Sequence, residues 1–143
     1  MMAPIAVVAP MFAIHRASVP AHTREVGSPR DPKRPFEGRK TGKWLITWTS
    51  IAKILGTDVD TARRDALLSG RVRRLVLSVR ETAEILGVSD QHIFTMISLE
   101  ELDAVKLANE WKISVYVVAK YQGTSAEKFI VNAKDADDRD VAV

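Results

Sequence analysis

Cysteine is absent from the 143 residues, which removes disulfide staples, thiolate nucleophiles and zinc–cysteine sites and suits a chain that works in the cytoplasm. Histidine is nearly absent. His15 and His22 fall in a proline-rich front segment and His92 lies far downstream, so no ligand spacing exists and neither a metal nor a cofactor is expected. Long apolar runs are missing as well. Residues 1–14 are apolar but short of the roughly twenty residues a bilayer needs, lack a preceding positive charge and contain Pro4 and Pro10. Neither an export signal nor a membrane span is expected. Nucleophilic constellations are also lacking: Ser89, Asp90 and His92 crowd onto one helix turn, where an inward-facing triad with an oxyanion hole cannot be assembled. No enzymatic activity is expected.

What the chain does contain is a repeat. Residues 76–88 (VLSVRETAEILGV) reproduce, thirty-one residues on, the pattern of residues 45–57 (LITWTSIAKILGT), and Ala-x-Ile-Leu-Gly is identical in both. Each copy sets a hydroxyl residue at a helix start, an apolar stripe behind it, and a glycine where the helix must end. Ser78 and Glu81 have the spacing of a capping box, with Val79, Thr82, Ala83 and Leu86 on one helical face. Gly87 can take the left-handed turn that a side chain resists. Ser89 is a second N-cap, opening a helix with Ile93, Met96 and Ile97 inward and Gln91, His92 and Thr95 outward. In the first copy, Asp58 or Asp60 can cap a second helix with Ala62, Ala66 and Leu67 inward and Thr61, Arg63 and Arg64 outward. Both copies thus read as helix-turn-helix units, over residues 44–76 and 77–121.

The second copy goes further. Leu77-Ser78-Val79-x-Glu81-x-Ala83-x-Ile85-Leu86-Gly87-Val88-Ser89, then Glu101-Leu102-x-Ala104-Val105-Lys106, then Trp111-Lys112-Ile113, then Tyr121 occur in order. This stretch resembles the excisionase-like helix-turn-helix family, small relatives of the winged MerR type. The resemblance implies that the second and third pieces are the two strands of a wing, bringing Lys106 and Lys112 to the interface, and that the function is DNA binding in a phage or mobile element. It departs from the family in charge. Residues 77–121 carry four Lys or Arg against seven Asp or Glu, with Asp90, Gln91 and Thr95 on the recognition helix and Ala108-Asn109-Glu110 in the wing turn, where the family usually carries cations.

The positive charge lies upstream. Residues 1–43 hold eight basic side chains against three acidic ones, and Arg63, Arg64, Arg71, Arg73 and Arg74 come after them. Because Pro20, Pro29, Pro32 and Pro35 mix with Arg30, Lys33, Arg34, Arg39, Lys40 and Lys43, residues 1–43 read as a flexible basic arm outside the core. Residues 122–143 read as a short element over residues 126–131 and an acidic mobile tail, 135–140, ending in Val141-Ala142-Val143, either a frayed end or a degradation handle.

The expected fold is therefore mainly α, with tandem helix-turn-helix units, the second bearing a small β-hairpin wing, between disordered termini. The expected function is a sequence-specific double-stranded DNA-binding regulator, a repressor. An excisionase that bends DNA and recruits an integrase is one alternative, and a protein-interaction module with an acidic recognition face is another. Candidate DNA contacts are Thr61, Arg63, Arg64, Arg71, Arg73, Arg74, Gln91, His92, Thr95, Lys106 and Lys112. Two unlike readers favour a monomer on an asymmetric site over a homodimer. Trp44, Trp48 and Trp111 read as core or interface aromatics rather than base stackers.

Overall fold

A computed structural model describes residues 1–133. The acidic segment 135–140 and the terminal Val141-Ala142-Val143 lie outside the described residues.

Four times along the chain a strand feeds a helix, a left-handed residue closes it, and a polar residue two positions later accepts an amide at the start of the next segment. The first copy runs β1 (Met2–Pro4), α1 (Ile5–Met11), then α2 (Ser18–Ala21). The second is β4 (Lys43–Thr47), α3 (Trp48–Leu55), α4 (Val59–Ala66). The third is β6 (Val76–Leu77), α5 (Val79–Leu86), α6 (Asp90–Ser98). The fourth is β8 (Glu110–Ser114), α7 (Val115–Gln122) and a 3-10 turn, Ala126–Phe129.

The four turns share one geometry. Ala13, Gly56, Gly87 and Gly123 have φ of 53°, 73°, 70° and 70°. The next residue's amide then reaches back five residues, from Ile14 to Ala9, Thr57 to Ala52, Val88 to Ala83 and Thr124 to Ala119, at 2.9–3.1 Å. These bonds satisfy carbonyls that a helix end leaves open. The accepting residue is a buried alanine every time, which lets the following element cross close to the helix. Polar caps then close the open amides. Thr47, Ser78 and Ser114 cap the first helices of their copies, Asp58, Ser89 and Ser125 cap the second elements, and Ser78 with Glu81 forms the reciprocal capping box. In the first copy His15 accepts the Ala17 amide through Nδ1 at 3.1 Å.

Copies pair into two modules of the same topology. In the first, β1 lies antiparallel to β4, and β3 (Phe36–Thr41) pairs with the other side of β4 as a hairpin. A further strand, β2 (Thr23–Glu25), joins parallel to β3, giving the order β1-β4-β3-β2. In the second module β6 lies antiparallel to β8, and β7 (Val105–Leu107) pairs with β8 as the hairpin, giving β6-β8-β7. The segments that leave the modules, β5 (Arg73–Arg74) and β9 (Val131–Asn132), pair with each other.

This corrects the mainly α expectation. Among the described residues the chain is mixed α/β, with seven helices and three sheets, 44% helical and 22% strand. The front end, expected as a disordered flank, is part of the core. Val8, Ala9, Met11, Phe12, Ile14, Val19 and Phe36 are fully or almost fully buried. Phe12 and Phe36 meet edge to face with centroids 5.0 Å apart, an arrangement aromatic quadrupoles favour. Proline misleads here because it sits where helices tolerate it. Pro4 is the N-cap of α1, and Pro20 lies in the first turn of α2, where no intrahelical amide is needed. Pro10 stands in the last turn of α1, one residue from its end.

One hydrophobic cluster runs through both modules. Polar seams reinforce the joint. Ser114 donates to the Leu55 carbonyl at 2.6 Å, the Tyr116 hydroxyl donates to Asp65 at 2.6 Å, and Leu75 bridges Met11 and Val115 by backbone bonds of 3.0 Å. Burial, and then the Asp65 carboxylate that accepts its proton, hold the Tyr116 phenol above its ordinary value.

Candidate nucleic-acid interface

The helix pair α3–α4 presents the first set of candidate contacts. Asp58 accepts both the Thr61 amide and the Thr61 hydroxyl at 2.8 Å. Those bonds hold the Asp58 carboxyl below its ordinary value and fix Thr61 at the start of α4. Arg64 is largely exposed, its Nε 3.4 Å from Asp65. Arg63 is only half-exposed, with a buried Nε. Arg71 is exposed on the segment after α4.

Arg73 and Arg74 do not belong to that surface. Arg73 is buried, its Nη2 2.6 Å from Glu127, and Arg74 holds Glu81 at 2.6 Å. Both guanidiniums tie β5 to its neighbours. For Glu81, burial alone would raise the carboxyl, but its bond to the Ser78 amide and the Arg74 guanidinium outweigh that and hold it below its ordinary value.

On the second module Gln91, His92 and Thr95 are exposed on one face of α6, as their spacing implies. Beside them stand Phe94 at 42% and Leu99 at 64% exposure, large values for such side chains. Lys106 is exposed and lies 5.7 Å over the Trp111 ring. Lys112 is a correction: its side chain is buried, and Nζ bonds the Ala13 carbonyl at 3.3 Å and Glu110 at 3.0 Å. Strand alternation puts Lys106 and Lys112 on opposite sides of the pairing and sends Lys112 into the joint with α1.

The two hairpins differ in what their tips meet. The β7–β8 turn, Ala108-Asn109, has positive φ at both residues, the geometry of a two-residue hairpin turn. Its Ala108 amide donates to His22 Nε2 at 3.0 Å, and His22 Nδ1 lies 3.0 Å from the Lys33 carbonyl. One neutral tautomer satisfies both contacts, with the proton on Nδ1. This hairpin is thus latched to the first module by His22 at its tip and by Lys112 along its strand.

Among the described residues no such latch is seen on the β3–β4 hairpin. Arg39, Lys40, Thr41, Gly42 and Lys43 are all exposed. Gly42 turns the tip at φ 86°, and a Cβ there would meet nothing within 4 Å. Three cations therefore project from the tip of a paired hairpin. These three cations are not among the contacts expected from the sequence, where residues 1–43 read as an arm. The signal was there, since Phe36-Glu37-Gly38 and Trp44-Leu45-Ile46 flank a Thr-Gly turn.

Charge divides the modules the same way. Residues 2–66 carry eleven Lys or Arg against six Asp or Glu, while residues 76–129 carry five against eight. The candidate contacts fall into two separate sets, because α4 packs on α3 and β5 whereas α6 packs on α5.

Among the described residues no cluster of His, Asp and Glu has the makings of a metal site, and no helix is long and apolar enough to cross a membrane. Comparison with family models, curated proteins and solved structures finds no match to this chain.

Proposed function

We propose that the protein is a cytoplasmic, sequence-specific double-stranded DNA-binding regulator of transcription, anchored to DNA through its first module. The observation that carries this reading is the β3–β4 tip, where Arg39, Lys40 and Lys43 stand exposed on a paired hairpin. Cations on such a tip can neutralise phosphates without the ordering cost of a loose arm. Thr61, Arg64 and Arg71 on and after α4 are a second exposed set on the first module, and Gln91, His92 and Thr95 on α6 are the base readers of the second module. Gln can read adenine bidentately in the major groove.

A gel-shift salt titration tests it. Replacing Arg39, Lys40 and Lys43 together by Ala should weaken binding to any duplex and flatten the slope of log affinity against log salt by roughly 0.9 for each phosphate no longer neutralised. Gln91→Ala with His92→Ala should leave that slope unchanged and relax sequence preference. An unaltered slope in the triple variant would remove the first module from the interface.

A second reading rests on the α6 face. Phe94 and Leu99 are exposed beside Asp90, Glu100 and Glu101, a surface suited to a basic protein partner. An excisionase role, with an integrase bound there while the first module holds DNA, combines the two. Pull-down of a purified integrase, abolished by Phe94→Ser with Leu99→Ser and kept by the hairpin triple variant, would separate it from a plain repressor.

A further inference from the structure

A cleft of about 490 Å³ lies where the modules meet, and its chemistry is unlike that of the DNA-facing tip. Four cations line it: Arg24 on β2, Arg30 and Arg34 on the loop before β3, and Lys53 on α3. Arg24 sits deepest of the four, its side chain only 18% exposed and its Nη1 3.4 Å from Glu37.

Three carboxylates also reach the cleft, but two are engaged. Asp31 accepts the Lys33 amide at 3.0 Å, and Glu37 pairs with Arg24. Asp103 stands on the opposite wall. The flank of α3 contributes Thr49 and Ser50 from its first turn and Lys53 and Ile54 from its last. The remaining wall is apolar, made by Ile54, Val105 and Val117 with Pro32 and Pro35. A volume of this size fits a ligand of nucleotide dimensions.

We propose that this cleft binds a small phosphorylated ligand of nucleotide type, its phosphates held by Arg24, Arg34 and Lys53 and its flat apolar body set against Ile54, Val105 and Val117. The proposal stands apart from the DNA reading. Because Lys53 belongs to the first module and Val105 and Val117 to the second, occupancy braces the joint between them.

Titration calorimetry on the 143-residue chain at low salt tests it, with ADP, inorganic pyrophosphate and adenosine as probes. The expected order is ADP tightest, pyrophosphate weaker and adenosine weakest. Arg34→Ala with Lys53→Ala, both at exposed side chains, should weaken ADP by about tenfold or more with an unchanged melting temperature in the absence of ligand. Arg24→Met serves as a second variant, and its loss of ADP binding is read only if its unliganded melt is cooperative. No heat with ADP in the millimolar range, or equal ADP affinity in the double variant, would overturn the proposal. Pyrophosphate binding as well as ADP would overturn the apolar half of it. Loss of duplex DNA binding by the double variant, with no ADP binding in the wild type, would assign these cations to the DNA backbone instead.

Discussion

Alanine at position 13 does the work that glycine does in the other three turns. A left-handed conformation costs a residue with a Cβ roughly 1 kcal/mol relative to glycine, and the Ala13 carbonyl is held there by Lys112. Ala13→Gly should therefore raise the midpoint of thermal unfolding by a few degrees, measurable by circular dichroism. Gly38 is the opposite case. A Cβ at this position would lie 2.3 Å from the Leu45 carbonyl oxygen, a backbone atom that cannot swing away. Gly38→Ala should cost roughly 1–3 kcal/mol by forcing the β3–β4 pair apart, and a melt as stable as wild type would contradict that. Glu81 gives a pH-dependent expectation. Its carboxyl is depressed in the folded state, so its contribution is complete above the ordinary value of 4.5 and is lost as pH falls through the lower folded value. Glu81→Gln should lower stability at neutral pH and flatten the acid side of the stability profile.

At the scale of elements, the second hairpin should be releasable. His22→Ala removes the acceptor of the Ala108 amide, so hydrogen exchange at Ala108 should quicken while exchange in α5 and α6 stays unchanged. Exchange that quickens evenly over the second module would show that His22 serves the core instead. The helices capped by Thr47, Asp58, Ser78 and Ser89 were legible in the sequence, because cap, apolar stripe and terminal glycine are local signals. The copy at Ile113-Ser114 to Gly123-Thr124-Ser125 carries the same signals with a tyrosine and a glutamine where the others have Ile-Leu, which hid it. The copy at Pro4 to His15 was illegible for a stronger reason. Its glycine is replaced by Ala13, its polar cap by His15 and its helix interior by Pro10, so every local mark of a repeat is gone while the backbone bonds remain.

For the whole molecule, burial of residues 8–14 and the pairing of β1 with β4 decide what truncation does. Removing residues 1–42 would strip Phe12 and Phe36 from the core and leave β4 without either neighbour. The shortened protein should lose cooperative unfolding in the first module, seen as a broad, low-enthalpy calorimetric transition. A sharp transition near that of the full chain would restore the arm. The candidate site was half legible for the same reason. Thr61, Arg64, Gln91, His92 and Thr95 follow from helix periodicity, whereas the outward placement of Arg39, Lys40 and Lys43 and the inward placement of Arg73 and Lys112 depend on partners far away in the chain.

The distance in sequence between Lys112 and the Ala13 carbonyl, ninety-nine residues, has a kinetic meaning. On a ribosome the first module has all its strands and helices once α4 has emerged, and it can close while the second is still being made. Through that interval His22 faces no Ala108 amide, Arg73 faces no Glu127, and β5 is an open edge. Slowing translation between residues 75 and 130 should therefore expose β5 to other nascent chains for longer and increase aggregation, an effect that supplying the second half as a separate polypeptide during synthesis should suppress.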